Sequence, residues 1–123
     1  MWSFSNDKPV YMQIADELML RIVSGVYKPG ERVPSVRELA EEARVNPNTM
    51  QKALAEIERD GYLISLRTSG KFVTEDVQLI QSFRDSRTEK AFEAFIAEME
   101  RLGIAKDEVL EKLGEYCAGA KND

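Results

Sequence analysis

Apolar residues recur every three to four positions along most of this 123-residue chain, and the interruptions divide it into elements. Tyr11, Ile14, Leu18 and Ile22 form a first stripe, which predicts a helix from Pro9 or Val10 to Ser24, stopped by Gly25. Glu17 and Arg21 fall at i,i+4 on its other face, in the favourable order. Pro29-Gly30 punctuates the chain, and Glu31-Arg32-Val33 is short and strand-like. A second stripe, Val36, Leu39, Ala40 and Ala43, predicts a helix from Val36 to Glu42 or Ala43. Ser35 stands at its cap, and Glu38 three positions later completes a capping box. A third stripe, Met50, Ala53, Leu54 and Ile57, predicts a helix from Pro47 to Asp60. Asn46 is its cap, Pro47 fits the first helical position where no N–H is needed, and Gly61 ends it.

Beyond Gly61 the period changes. Tyr62 to Leu66 and Lys71 to Val73 are β-prone runs around the glycine-containing Arg67-Thr68-Ser69-Gly70, which predicts a hairpin. Two capped helices, the tight Arg44-Val45-Asn46 link and a basic hairpin make the layout of a winged helix-turn-helix. The helical rhythm then returns at Val77, Ile80 and Phe83, and again at Ala91, Phe92, Phe95, Ile96, Met99 and Leu102. Ser86 and Glu89 in the polar segment between them could form another capping box, so a break at residues 84–90 is open. Gly103 ends this stretch, with Ile104 placed to cover the cap. A last helix is expected from Lys106 to about Cys117, with a frayed tail from Ala118 to Asp123.

The fold expected is mainly α with a small β-hairpin. Residues 1–75 form an N-terminal winged helix-turn-helix, and residues 76–123 a two-helix C-terminal dimerisation or effector region. Two helices alone cannot bury three phenylalanines, so the tail either folds back on the head or pairs with a second chain. Pairing is favoured, because paired heads would read symmetric half-sites. Phe92, Phe95, Ile96 and Met99 are the expected dimerisation residues.

Net charge is −5, which argues mildly against nucleic acid, and neither half of the chain is basic. Any electrostatic footprint must therefore come from local placement. Arg37, Arg44, Lys52, Arg67 and Lys71 all fall in the helix-turn-helix and hairpin. The start of the third helix reaches base edges in this class of motif. Asn48, Thr49, Gln51 and Lys52 lie off its apolar stripe: Asn and Gln pair with adenine, Thr meets a thymine methyl, and Lys meets guanine or phosphate. The plainer reading is a solvated helix face. Arg37 at the second position of its helix opposes the helix dipole, which favours a role in binding over a surface pair with Glu41 worth only tenths of a kcal/mol. Ser35 and Asn46 are caps first and phosphate contacts second. At the hairpin tip, Arg67, Ser69, Gly70 and Lys71 would approach the minor groove or its phosphates, with Gly70 allowing close approach. Tyr27 and Tyr62 read as core-edge aromatics with satisfied hydroxyls.

Catalysis finds almost no support. Histidine is absent, which removes the commonest general base and metal ligand. No phosphate-loop or dinucleotide fingerprint is present, and no cofactor or metal is expected. The single cysteine, Cys117, has no internal partner and reads as a buried or semi-exposed helix residue; with no apolar span and no signal-like N-terminus, this suggests a cytoplasmic protein without a membrane partner.

The chain resembles the GntR family of bacterial transcriptional regulators. The resemblance lies in Pro9 to Ile14, Gly25 to Ala40, Val45 to Met50, Glu58 to Leu63 and Gly70 to Val73, which cover about the first 75 residues. The Asn-Pro-Asn-Thr turn and the short tail look like the YtrA subfamily. The resemblance implies a homodimer joined through its tail, without a large ligand-binding domain, that represses genes such as ABC-type transporter operons. It also implies that Arg37 sits on a guanine in the major groove. The hairpin lacks a second glycine that the family often has near Thr68. Pro47 and Gln51 stand where other branches place arginines, and Ala105 where serine is common. The expected partner is double-stranded DNA carrying an inverted repeat. Two alternatives stay open: a winged-helix module that binds protein, and a regulator whose unknown small-molecule effector sits between the tail helices.

Overall fold

The computed structural model describes residues 2–122 and contains five helices and one two-stranded sheet among them. The order is α1 (Val10–Val23), α2 (Val36–Ala43), α3 (Pro47–Arg59), β1 (Leu63–Leu66), β2 (Gly70–Val73), α4 (Val77–Arg101) and α5 (Lys106–Asn122). The first three helices begin and end where their sequence signals lie. The Ser35 hydroxyl accepts from the Glu38 amide at 3.1 Å, while the Glu38 carboxylate accepts from the Ser35 amide at 3.0 Å. The Asn46 side chain accepts from the Asn48 amide at 2.7 Å, with Pro47 at the first helical position.

Two compact units divide the chain, residues 1–83 and 84–123. In the first, α3 is the centre: α1, α2 and β1 all pack on it. Ile14, Leu39, Met50, Ala53 and Leu54 lie at 0–1 % exposure, so the three predicted stripes converge on one core. Tyr27 is buried with its hydroxyl accepting from Arg21 at 2.9 Å, and Tyr62 is half-buried with its ring edge-on to Phe83 at 5.7 Å.

The hairpin is antiparallel, with Leu63 opposite Val73 and Leu66 opposite Gly70. A lone bridge between Arg32 and Phe72 adds the predicted third segment to its edge, with the Val33 amide donating to the Lys71 carbonyl at 3.0 Å. Only Leu63 and Val73 on the hairpin are buried; Ile64 and Leu66 face outward.

Three tail features differ from expectation, and one left open is resolved. Residues 84–90 do not break: α4 runs unbroken from Val77 to Arg101, and the Thr88 hydroxyl donates back to the Arg84 carbonyl at 2.8 Å, as in a continuing helix. An interior backbone ladder thus outweighs the Ser86-Glu89 cap pattern. Helix α5 likewise continues past Cys117 to Asn122, which replaces the frayed segment there; Asp123 lies outside the described residues. Val77, the first residue of α4, is exposed although it continues the stripe. Cys117 is exposed.

At the end of α4, Gly103 takes φ +80°, its amide donates to the Glu100 carbonyl at 3.0 Å, and the Ile104 amide reaches back to the Met99 carbonyl at 2.9 Å. This is the glycine-terminated stop expected there. Within the tail unit the aromatic and aliphatic faces stay open. Phe92 and Leu102 are over 60 % exposed, Phe95 and Leu113 are also exposed, and among the described residues of this unit only Val109 is buried.

Candidate nucleic-acid interface

The site rests on the two capped helices and the hairpin. Arg37 occupies the second position of α2, is exposed, and makes no hydrogen bond or ion pair among the described residues. The plainer alternative, a pair with Glu41, is not formed. At the start of α3, Asn48, Gln51 and Lys52 are exposed and Thr49 is half-buried. No side-chain hydrogen bond engages Gln51 or Thr49 among these residues. Lys52 lies over the Tyr11 ring, its Nζ 4.1 Å from the centroid, so α1 already orients its charge.

Ser35 and Asn46 are both occupied as caps. The same box lowers the Glu38 carboxyl below its usual value, first through the Ser35 amide, then the Ser35 hydroxyl, with the Arg32 charge helping. Arg44, in the link between α2 and α3, adopts the left-handed conformation at φ 58° and ψ 48°. That conformation lets the Arg44 and Val45 amides close the end of α2 on Glu41 and Ala40. It is the one positive-φ residue other than glycine among those described, and it makes the turn tight.

At the wing, Arg67 and Ser69 are exposed on the three-residue tip, and Gly70 opens the second strand at φ +104°. Lys71 is different. Its side chain is only 19 % exposed, and its ammonium donates to Glu58 at 2.7 Å and to the Ser65 hydroxyl at 2.8 Å. The Lys71 and Ser65 contacts hold the Glu58 carboxyl below its usual range, Lys71 contributing most. In the free protein Lys71 therefore braces the wing against α3.

Two further features escaped the sequence, and a third is the packing of the N-terminal arm, whose role the sequence left open. Arg32 reaches the wing and donates its Nε–H to the Ser69 carbonyl at 2.7 Å. Its strand-like neighbourhood beside a hairpin was the available signal. Glu58 is the partner of Lys71. Thirdly, the N-terminal arm is latched: the Trp2 indole donates to Glu42 at 2.7 Å, Arg21 donates to the same carboxylate at 2.9 Å, and the Arg21 guanidinium lies 4.6 Å from the Trp2 ring. Burial would raise the Glu42 carboxyl, but the Trp2 and Arg21 contacts outweigh it and hold it low. The expected Glu17–Arg21 pair is present at 3.2 Å within this network.

A capped two-helix turn, an open arginine and a braced wing thus share one core. The model of the "Bacterial regulatory proteins, gntR family" matches residues 10–73. The chain belongs to the GntR family. This GntR protein is 38% identical over 116 residues to the HTH-type transcriptional regulator YhcF of Bacillus subtilis, covering 94% of the chain and 96% of that protein. It is 32% identical over 121 residues to the HTH-type transcriptional repressor YtrA of the same organism, covering 94% and 92%. Its fold matches a GntR family transcriptional regulator from Listeria monocytogenes at a TM-score of 0.82 and 38% identity, over 91% of the chain and 98% of that structure. It also matches the AraR DNA-binding domain in complex with operator ORX1, at a TM-score of 0.57 and 26% identity, over 60% of the chain and 95% of that domain. The relatives of this GntR protein are transcriptional regulators, not enzymes. Among the described residues no helix is long and apolar enough to cross a membrane.

Proposed function

We propose that this GntR regulator is a sequence-specific repressor that binds double-stranded DNA as a homodimer on an inverted-repeat operator. Residues 1–75 bind DNA and residues 76–123 join the two copies. The observation that carries the reading is the open Arg37 and Gln51 on capped, rigidly packed helices, where a folded monomer gives them nothing to bind. Arg37 reads guanine; Asn48, Thr49 and Gln51 meet neighbouring base edges; Lys52, Ser35, Asn46, Arg67, Ser69 and Gly70 hold the backbone, while Lys71, paired with Glu58, fixes the wing that carries them. The exposed Phe92 and Phe95, with half-buried Ile96 and Met99, give the tail the apolar surface a second copy would cover. The resemblance adds a transporter operon as the target.

A second reading, an effector site in the tail, draws on one feature. A groove of about 480 Å³ lies within the tail unit, lined by Phe92, Ile96 and Ala97 with Lys106 and three glutamates. A small molecule that shifts both the melting temperature and DNA affinity would favour it.

The test is a titration of a labelled generic duplex at low and moderate salt. A DNA-binding head gives an affinity that falls log-linearly with salt. A folded protein with negligible affinity at low salt assigns the head to protein contact instead.

A further inference from the structure

A two-stranded hairpin has little stability of its own, and this wing buries only Leu63 and Val73. Its path is fixed by polar anchors instead. Lys71 ties the base to Glu58 on α3 at 2.7 Å. Arg32, from the segment before α2, ties the tip through the Ser69 carbonyl at 2.7 Å. The fit at the tip is close: a Cβ on Gly70 would come within 2.9 Å of the Arg32 Nε and 3.2 Å of a terminal amino nitrogen. Glycine at position 70 thus makes room for the guanidinium as well as for its own positive φ.

The two anchors differ in what they leave free. The Lys71 charge is neutralised by Glu58. Arg32 uses only its Nε–H, on a neutral carbonyl, and its two terminal amino groups make no hydrogen bond or ion pair among the described residues. The side chain is exposed, and its charge is felt at Glu38 in the first turn of α2. A positive charge is therefore fixed between the start of α2 and the wing tip, with two terminal amino groups that have no partner among the described residues. This is the geometry that suits a phosphate oxygen.

We infer that Arg32 is a DNA-backbone contact: its Nε–H locks the wing tip while its terminal amino groups bind a phosphate between the wing and α2. The inference rests on the DNA-binding reading above. It adds a residue whose action is independent of base sequence.

The test compares wild type, Arg32→Ala and Arg32→Lys on one generic duplex between 50 and 200 mM salt, with amide exchange at Ser69 to Lys71 in the absence of DNA. Loss of one phosphate contact lowers the slope of log affinity against log salt by about 0.9, so the wild-type advantage over Arg32→Ala shrinks about threefold across that range. Amide exchange at the tip quickens in both variants, because neither has the Nε–H. Arg32→Lys keeps its charge, so its slope stays nearer to wild type. An Arg32→Ala slope equal to wild type overturns the inference, whatever the exchange shows. Wild type that binds no duplex overturns the DNA-binding reading and this inference with it, an outcome separable from a variant that binds unchanged. Should Arg32→Ala fail to fold, Arg32→Lys with wild-type exchange at the tip also overturns it.

Discussion

Helix α3 and the tail part of α4 carry apolar stripes with opposite fates. Met50, Ala53, Leu54 and Ile57 on α3 are at most 2 % exposed, whereas Phe92 on α4 is 62 % exposed and Leu102 63 %. Spacing sets which face of a helix is apolar in both cases. It does not set what covers that face. Helix α3 finds α1, α2 and β1 in its own unit. Among the described residues of the tail, Val109 is the one buried side chain of α5, and most of the stripe's apolar area stays exposed. A finished core in the head leaves polar groups such as Arg37 free to bind, while the unfinished surface of the tail is suited to assembly.

The contrast is testable in order of expected effect. Leu54→Ala should destabilise the protein by about 2–5 kcal/mol in denaturant unfolding, because it opens a cavity in a closed core. Phe95→Asp or Met99→Asp should convert a dimer to monomer in sedimentation equilibrium while the circular dichroism of the head persists; a dimer that survives both would move the interface off this stripe. Arg37→Ala should cost about 1–3 kcal/mol of affinity for a selected site and relax one base position, with no loss of thermal stability. Asn46→Ala should lower stability by about 1 kcal/mol through loss of the α3 cap, read as a shift in the unfolding midpoint.

The smallest effect concerns pH. The folded value of Glu58 is depressed by Lys71 and Ser65, so its contribution is present above the usual carboxylate range and is lost as pH falls through the depressed value. Amide exchange in the wing should therefore show greater opening in that acidic window, and Glu58→Gln should remove the dependence.

Much of the head was legible because its signals are local. Ser35 with Glu38, Asn46 with Pro47, and Gly61 each act within one turn of the residues they organise. The glycine stop at Gly103 was legible for the same reason. The local pattern left residues 84–90 open, because the Ser86-Glu89 capping box is only an option, and the interior helix ladder overrides it. The wing's anchors and the latch of the N-terminal arm were not legible. Arg32 and Ser69 are 37 positions apart, Trp2 and Glu42 are 40 apart, and long-range polar contacts leave no periodic trace. Lys71 shows the consequence: as a sequence it is a free basic residue at a tip, and in the fold its charge is held by Glu58.

Selection of binding sites from a random double-stranded library by the purified protein at moderate salt would settle most. The head's open base-reading residues and the tail's uncovered stripe predict an enriched inverted repeat with half-sites about one helical turn apart. Enrichment of no sequence at any salt, by protein shown to be folded, would contradict sequence-specific recognition by Arg37, Thr49 and Gln51.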